Sequence, residues 1–166
     1  MPVSLRISIN AQLLSVLENG NIKAEYPVST ALNGVGQVRG SGQTPLGMHR
    51  IRIGIGGGAE PGTVFVGRRP TGEIYTSALA AAHPDRDWIL TRILWLTGME
   101  PGFNRGGRVD TLSRYIYIHG TPDSEPMGVP RSHGCIRMRN QAIIEVFNQV
   151  ERGCFVEICR DFKHDA

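Results

Sequence analysis

Cysteine is scarce in this chain: Cys135, Cys154 and Cys159 are three residues among 166. An odd count leaves at least one thiol free or paired between chains. Cys154 and Cys159 lie five apart in Gly153-Cys-Phe-Val-Glu-Ile-Cys159, which reads as a strand. An odd separation sends strand side chains to opposite faces, so these two are not expected to pair. A disulfide framework does not hold this fold. Long apolar runs are also missing, and no stretch approaches the roughly eighteen residues of a membrane-spanning helix. Dense basic runs with interleaved aromatics are absent, so the formal net charge of +3 carries no nucleic-acid signature. Such a mild positive balance suits an anionic polymer or a substrate bearing carboxylates. The opening Met1-Pro-Val-Ser-Leu-Arg-Ile-Ser-Ile9 alternates like a strand and lacks the basic flank and apolar block of a secretory signal. The expectation is a chain that acts in the cytoplasm as written, or one from which an export segment has been removed.

What is present suits one compact domain over residues 1–166. Forty per cent apolar and twenty per cent charged residues is an ordinary globular composition, while 21 glycines and 10 prolines favour many short strands and turns over a helix bundle. Val3, Leu5, Ile7 and Ile9 alternate with polar partners, and Glu18-Asn19-Gly20-Asn21 is a hairpin-turn signal between Leu13–Leu17 and Ile22–Ser29. A Gly-rich loop is expected at 33–47 and strands at 49–55, 64–66 and 88–97. A further strand, Arg114–Ile118, should end on His119-Gly120. One helix is expected from about Asn140, its N-cap, to Arg152, with Ala142, Ile143, Val146, Phe147 and Val150 on one face and Gly153 as the stop. The fold class is therefore mainly β with one prominent helix.

Two segments carry residues suited to chemistry: Tyr115-Ile-Tyr-Ile-His119-Gly120-Thr121 and Ser132-His133-Gly134-Cys135-Ile136-Arg137-Met138. A free thiol is only a few per cent thiolate at pH 7, so an imidazole near Cys135 would matter. Gly134 lets the backbone approach a substrate closely, and Arg137 is a fixed cation able to hold a carboxylate. Spacing does not choose between His119 and His133 as base. His119, His133 and Cys135 as zinc ligands is a competing reading, although the tight paired spacings of structural zinc sites are missing. His49, His83 and His164 read as ordinary surface or core histidines. Gly54-Ile-Gly-Gly-Gly-Ala59 fits the loose dinucleotide fingerprint, but Glu60-Pro-Gly62 leads into another extended run where a helix would have to open.

His119-Gly120 followed by Ser132-His-Gly-Cys-Ile-Arg-Met138 resembles the signature of the L,D-transpeptidase (YkuD-like) family. Cys135 follows His119 by sixteen residues, a gap of the length that family uses. Thr44-Pro-Leu-Gly47 and the opening hairpin ending in Tyr26-Pro-Val-Ser-Thr30 are similar to further family segments, so the likeness runs from about residue 4 to 159. It implies a β-sandwich or partly open barrel. It also implies Cys135 as nucleophile, His119 as base and the Gly120 carbonyl as orienter of His119. Gly134 and Cys135 amides, with His133, would form an oxyanion hole, and Ser132 and Arg137 would line the substrate site. The implied partner is the peptidoglycan stem peptide, in the periplasm or cell envelope, with no metal or organic cofactor. The implied reaction is acyl transfer from a tetrapeptide stem, with loss of D-alanine, to an amine of another stem. An L,D-carboxypeptidase using water and a non-catalytic peptidoglycan-binding domain are the alternatives. Acceptor choice would depend on the shape of a second cleft, lined by loops such as 33–47, 98–110 and 121–131.

Overall fold

A computed structural model of the protein describes residues 3–161, so His164 lies outside the described residues. The strands are β1 (Val3–Ser8), β2 (Leu13–Glu18), β3 (Asn21–Ser29), β4 (Gly47–Ile55), β5 (Thr63–Val66) and β6 (Arg69–Ile74), then, after helix α1 (Ser77–Ala82), β7 (Ile89–Gly98), β8 (Tyr117–Thr121) and β9 (Ile136–Arg139). A 3-10 turn at Gly107–Val109 precedes β8, and helix α2 (Asn140–Gln149) and β10 (Phe155–Cys159) complete the described elements. They form one sheet in the order β4-β10-β1-β2-β3-β9-β8-β7-β5-β6, and an added β4–β7 pairing closes most of it into a barrel. Closure leaves the β5–β6 hairpin projecting beside β7.

Alternation explains the first strands. Leu5 lies opposite Val16 and Ile7 opposite Leu14, while parallel pairing with β10 sets the same two residues beside Val156 and Ile158. All six are buried in the main core. Asn19 and Gly20 adopt φ of 52° and 82°, the pair of left-handed residues that a type I′ hairpin requires. Helix α2 lies against β7, β8 and β9 and buries Ala142, Ile143 and Val146, so its apolar stripe seals the barrel.

Several expectations are corrected. The strand expected to begin at Arg114 begins at Tyr117: Tyr115 has φ 57°, which breaks a strand, and Arg114 turns away to donate to the carbonyls of Gly36, Gln37 and Gln43. Asn140 is the first residue of α2 rather than its cap. The cap position is Arg139, and the helix ends at Gln149. The hairpin strand β6 and the short helix α1, whose Thr76 hydroxyl caps Leu79 N–H, were not anticipated. No helix opens after Gly54–Ala59, where a turn runs on to β5. Cys154 and Cys159 are both free, the first buried in the core. No helix among the described residues is long and apolar enough to cross a membrane.

Candidate active site

The parallel pairing of β8 with β9 organises the site. Ile118 lies opposite Ile136 and His119 opposite Arg137, followed by Gly120 and Met138. Because strand side chains alternate, Ile118, Ile136 and Met138 enter the core. Tyr117, His119, Cys135 and Arg137 fall on the other face and line one open cavity of about 450 Å³. A chain segment of residues 122–135 crosses between the two strands and delivers Ser132 to Cys135.

That segment is stapled at several points. Ser132 donates its hydroxyl to the Cys135 carbonyl at 2.6 Å and receives the Gly134 N–H at 3.2 Å. Thr44 donates to the Gly134 carbonyl at 2.9 Å while accepting Ala31 N–H, which ties the Thr-Pro-Leu-Gly segment to the site from behind. Gly134 has φ 131°, and a Cβ there would lie 3.2 Å from Ile116, so glycine is required. The Gly134 amide is already bound to Ser132.

Cys135 packs against an apolar cluster of Phe65, Ile93 and Tyr117. Its sulfur receives Tyr117 N–H at 3.3 Å and donates to the Tyr115 carbonyl at 3.3 Å. Burial pushes the thiol up to about 12. The Tyr117 N–H opposes this, Asp87 adds to it, and Arg137 and Arg114 pull it down.

His119 is buried on β8. Its Nδ1 lies 2.6 Å from the Gly120 carbonyl oxygen. A carbonyl can only accept, so Nδ1 carries the proton and Nε2 keeps its lone pair. Burial holds the imidazole below its ordinary range, opposed by the Gly120 contact and Asp87. Gly120 is itself hemmed in: a Cβ would stand 2.5 Å from the Leu90 carbonyl and 2.7 Å from Asn140 Oδ1. Asn140 holds that corner through the Thr121 carbonyl at 3.0 Å and the Thr91 hydroxyl.

Arg137 does not stand as a free cation. Its guanidinium meets Asp87 at 3.2 Å, with the arginine side chain 11% exposed. His133, by contrast, is 79% exposed in its side chain and 3.9 Å from the same carboxylate. Sequence reasoning missed Asp87, Arg68, Tyr115 and Tyr117, all of which line the cavity. No spacing rule connects Asp87 or Arg68 to the motif. The tyrosines belong to the motif segment itself, but residue type and spacing assign them no role. The loops 33–47, 98–110 and 121–131, expected to line a second cleft, do not line this cavity. Thr121, Pro122 and Glu125 line an adjoining one of about 180 Å³ that shares Asp87, His133 and Arg137 with it. The walls of the first come from the β5–β6 turn, residues 87–89 and the two motif strands. Among the described residues no three His, Cys, Asp or Glu side chains come together to hold a metal.

The model of the YkuD family, the L,D-transpeptidase catalytic domain, matches residues 2–158. The chain belongs to the L,D-transpeptidase catalytic-domain family. Among solved structures, L,D-transpeptidase 3 of Mycobacterium tuberculosis superposes with a TM-score of 0.59 at 17% identity, covering 95% of this chain and 61% of that one. The same enzyme with a faropenem-derived adduct gives 0.58 at 18%, with 95% and 60% covered. A cysteine-to-serine mutant of an Enterococcus faecium L,D-transpeptidase gives 0.57 at 14%, with 96% and 50% covered. At these identities the likeness is one of fold. This L,D-transpeptidase-family chain spans about half to three-fifths of the length of the solved structures it matches. A search of curated proteins finds no match.

Proposed function

We propose that the chain is a cysteine acyltransferase acting on peptidoglycan stem peptides, an L,D-transpeptidase in activity as well as in family. The observation that carries this reading is the shared face of β8 and β9. It puts the Cys135 thiol and a neutral, Nδ1-protonated His119 on one cavity wall.

The sulfur turns from the Tyr115 carbonyl toward the substrate, and its proton passes to His119 Nε2 as it attacks. The carbonyl attacked is that of the L-centre of the diamino acid in a tetrapeptide stem. A C–S bond forms, and the carbonyl electrons move to oxygen, facing the Cys135 and His133 amides. Collapse breaks the C–N bond, and D-alanine leaves with the proton from His119. An amine of a second stem then attacks the thioester and loses a proton to His119. The new amide forms as the thiol is released and reprotonated. The product is a 3-3 cross-link.

Incubation of wild type, Cys135→Ala and His119→Ala with a disaccharide tetrapeptide, read by mass spectrometry, tests this. A cross-linked dimer that has lost D-alanine, absent from both variants, is expected. Tripeptide alone would make water the acceptor. No turnover, with no acyl adduct on Cys135, would overturn the reading.

A further inference from the structure

Arg114 and Arg137 flank Cys135, and both are committed elsewhere. Arg114 is spent on the carbonyls of Gly36, Gln37 and Gln43, and Arg137 on Asp87. A third arginine lines the same cavity. Arg68 lies at the tip of the β5–β6 hairpin, in the two-residue turn Gly67-Arg68, with φ of 57° and 64°. Glycine occupies such left-handed positions freely, whereas an arginine there is strained, and strain of this kind persists where surrounding contacts hold it.

Those contacts come from the site. The Arg68 guanidinium carbon sits 4.7 Å from the centre of the Trp95 ring and 5.0 Å from that of Tyr115. One of its N–H groups donates to the Tyr117 hydroxyl at 3.2 Å. Trp95 is fixed in turn by its indole N–H on the Leu112 carbonyl at 3.0 Å. No carboxylate of the described residues pairs with Arg68. A guanidinium has five donors, and a single hydrogen bond leaves most of them for a ligand. The two tyrosines that hold Arg68 are the two whose backbone groups touch the Cys135 sulfur. Guanidinium and nucleophile are thus positioned by one pair of residues, whose backbone groups touch the sulfur and whose side chains hold the guanidinium.

We propose that Arg68 is the carboxylate-binding residue of the site. It would grip an acidic group on the same ligand whose carbonyl Cys135 attacks, since both residues line one cavity. The proposal rests on the stem-peptide reading for its natural ligand, since stems bear several carboxylates along a short backbone. The aromatic rings orient the guanidinium so that little side-chain freedom is lost on binding, and its planar edge matches a carboxylate in two-point contact.

Two measurements separate this proposal from the reading beneath it. The first alkylates Cys135 with iodoacetylglycine and with its neutral twin iodoacetylglycinamide, in wild type, Arg68→Gln and Arg68→Lys. The sulfur displaces iodide in each case, and peptide mass mapping distinguishes Cys135 from the other thiols. The ratio of the two rates should favour the acid in wild type and fall about 10-fold or more in Arg68→Gln, the lower end for a charge-assisted hydrogen bond. Arg68→Lys should restore part of it. A merely structural role would move both rates together and leave the ratio unchanged, which would overturn the proposal.

The second measures kcat/KM for tetrapeptide stems in which each carboxylate in turn is replaced by a carboxamide. One replacement should lower wild-type turnover and leave Arg68→Gln insensitive, and equal sensitivity of both proteins at every position would count against Arg68. Failure of wild type to process any stem, with the alkylation ratio still dependent on Arg68, would sink the stem reading and leave the anion site standing.

Discussion

The Cys135 thiol rests on the backbone carbonyl of Tyr115, 3.3 Å away, and makes no hydrogen bond to His119. The resting site is therefore a neutral thiol beside a neutral imidazole. Burial dictates this: it pushes the thiol up to about 12 and the imidazole down, disfavouring both charged forms. In the proposed mechanism, charge separation is deferred until a substrate arrives, when the proton moves as the C–S bond forms.

Iodoacetamide should consequently alkylate Cys135 at a rate that climbs about tenfold per pH unit from 6 to 10, since only thiolate reacts. A plateau at neutral pH would show a thiolate–imidazolium pair instead. Asp87 raises the thiol further, and neutralising it also frees Arg137 to pull the thiol down. Asp87→Asn should therefore speed alkylation at any fixed pH in this range, and slower alkylation would contradict the electrostatic account.

Gly120→Ala should damage both stability and turnover. The added methyl meets the Leu90 carbonyl at 2.5 Å and Asn140 Oδ1 at 2.7 Å, and backbone on one side cannot yield without shifting β7. Overpacking of this kind costs about 1–3 kcal/mol, to be read from urea unfolding. Because the Gly120 carbonyl fixes the His119 tautomer, kcat should fall more steeply than stability does. An alanine variant with wild-type stability and turnover would mean the corner is softer than its contacts suggest.

His49 should make the fold acid-sensitive. It is buried on β4 with Nε2 at 2.9 Å from the Thr111 hydroxyl and Nδ1 at 3.1 Å from the Gly47 carbonyl oxygen. Burial lowers its pKa from the ordinary 6.5 to about 4. Below pH 6.5 the unfolded chain takes up a proton that the folded chain refuses. Stability is therefore full above about 6.5 and drains away as pH falls toward 4, by up to about 3 kcal/mol. Melting temperature against pH for wild type and His49→Gln tests this. The variant should show the shallower slope, with a residue of it left by His119, whose pKa is lowered in the same sense. Identical slopes would remove His49 from the explanation.

Much of this could be read along the chain because the signals are local. Strand alternation at Val3–Ile9, the Asn19-Gly20 turn and the apolar stripe of α2 depend on neighbours within a few residues. The start of β8 was misplaced because Tyr115-Ile-Tyr alternates like a strand, while the force bending it, Arg114 anchoring on the carbonyls of Gly36, Gln37 and Gln43, comes from far away in sequence. Asn140 looked like a cap for a similar reason. Its side chain is drawn sideways to Thr91, Thr121 and Asp123, none of them visible from the helix pattern.

By itself, the sequence determined a β-rich chain whose His119-Gly120 and Ser132–Met138 segments carry the family signature, because residue type and spacing suffice for a motif. Tertiary structure decided which charges are free. Arg137, the cation that the motif offers, is neutralised by Asp87 from outside it, whereas Arg68, marked by nothing in its own surroundings, reaches the cavity through a hairpin. Burial and pairing depend on what the closed sheet brings together, and closing it joins residues far apart in the chain.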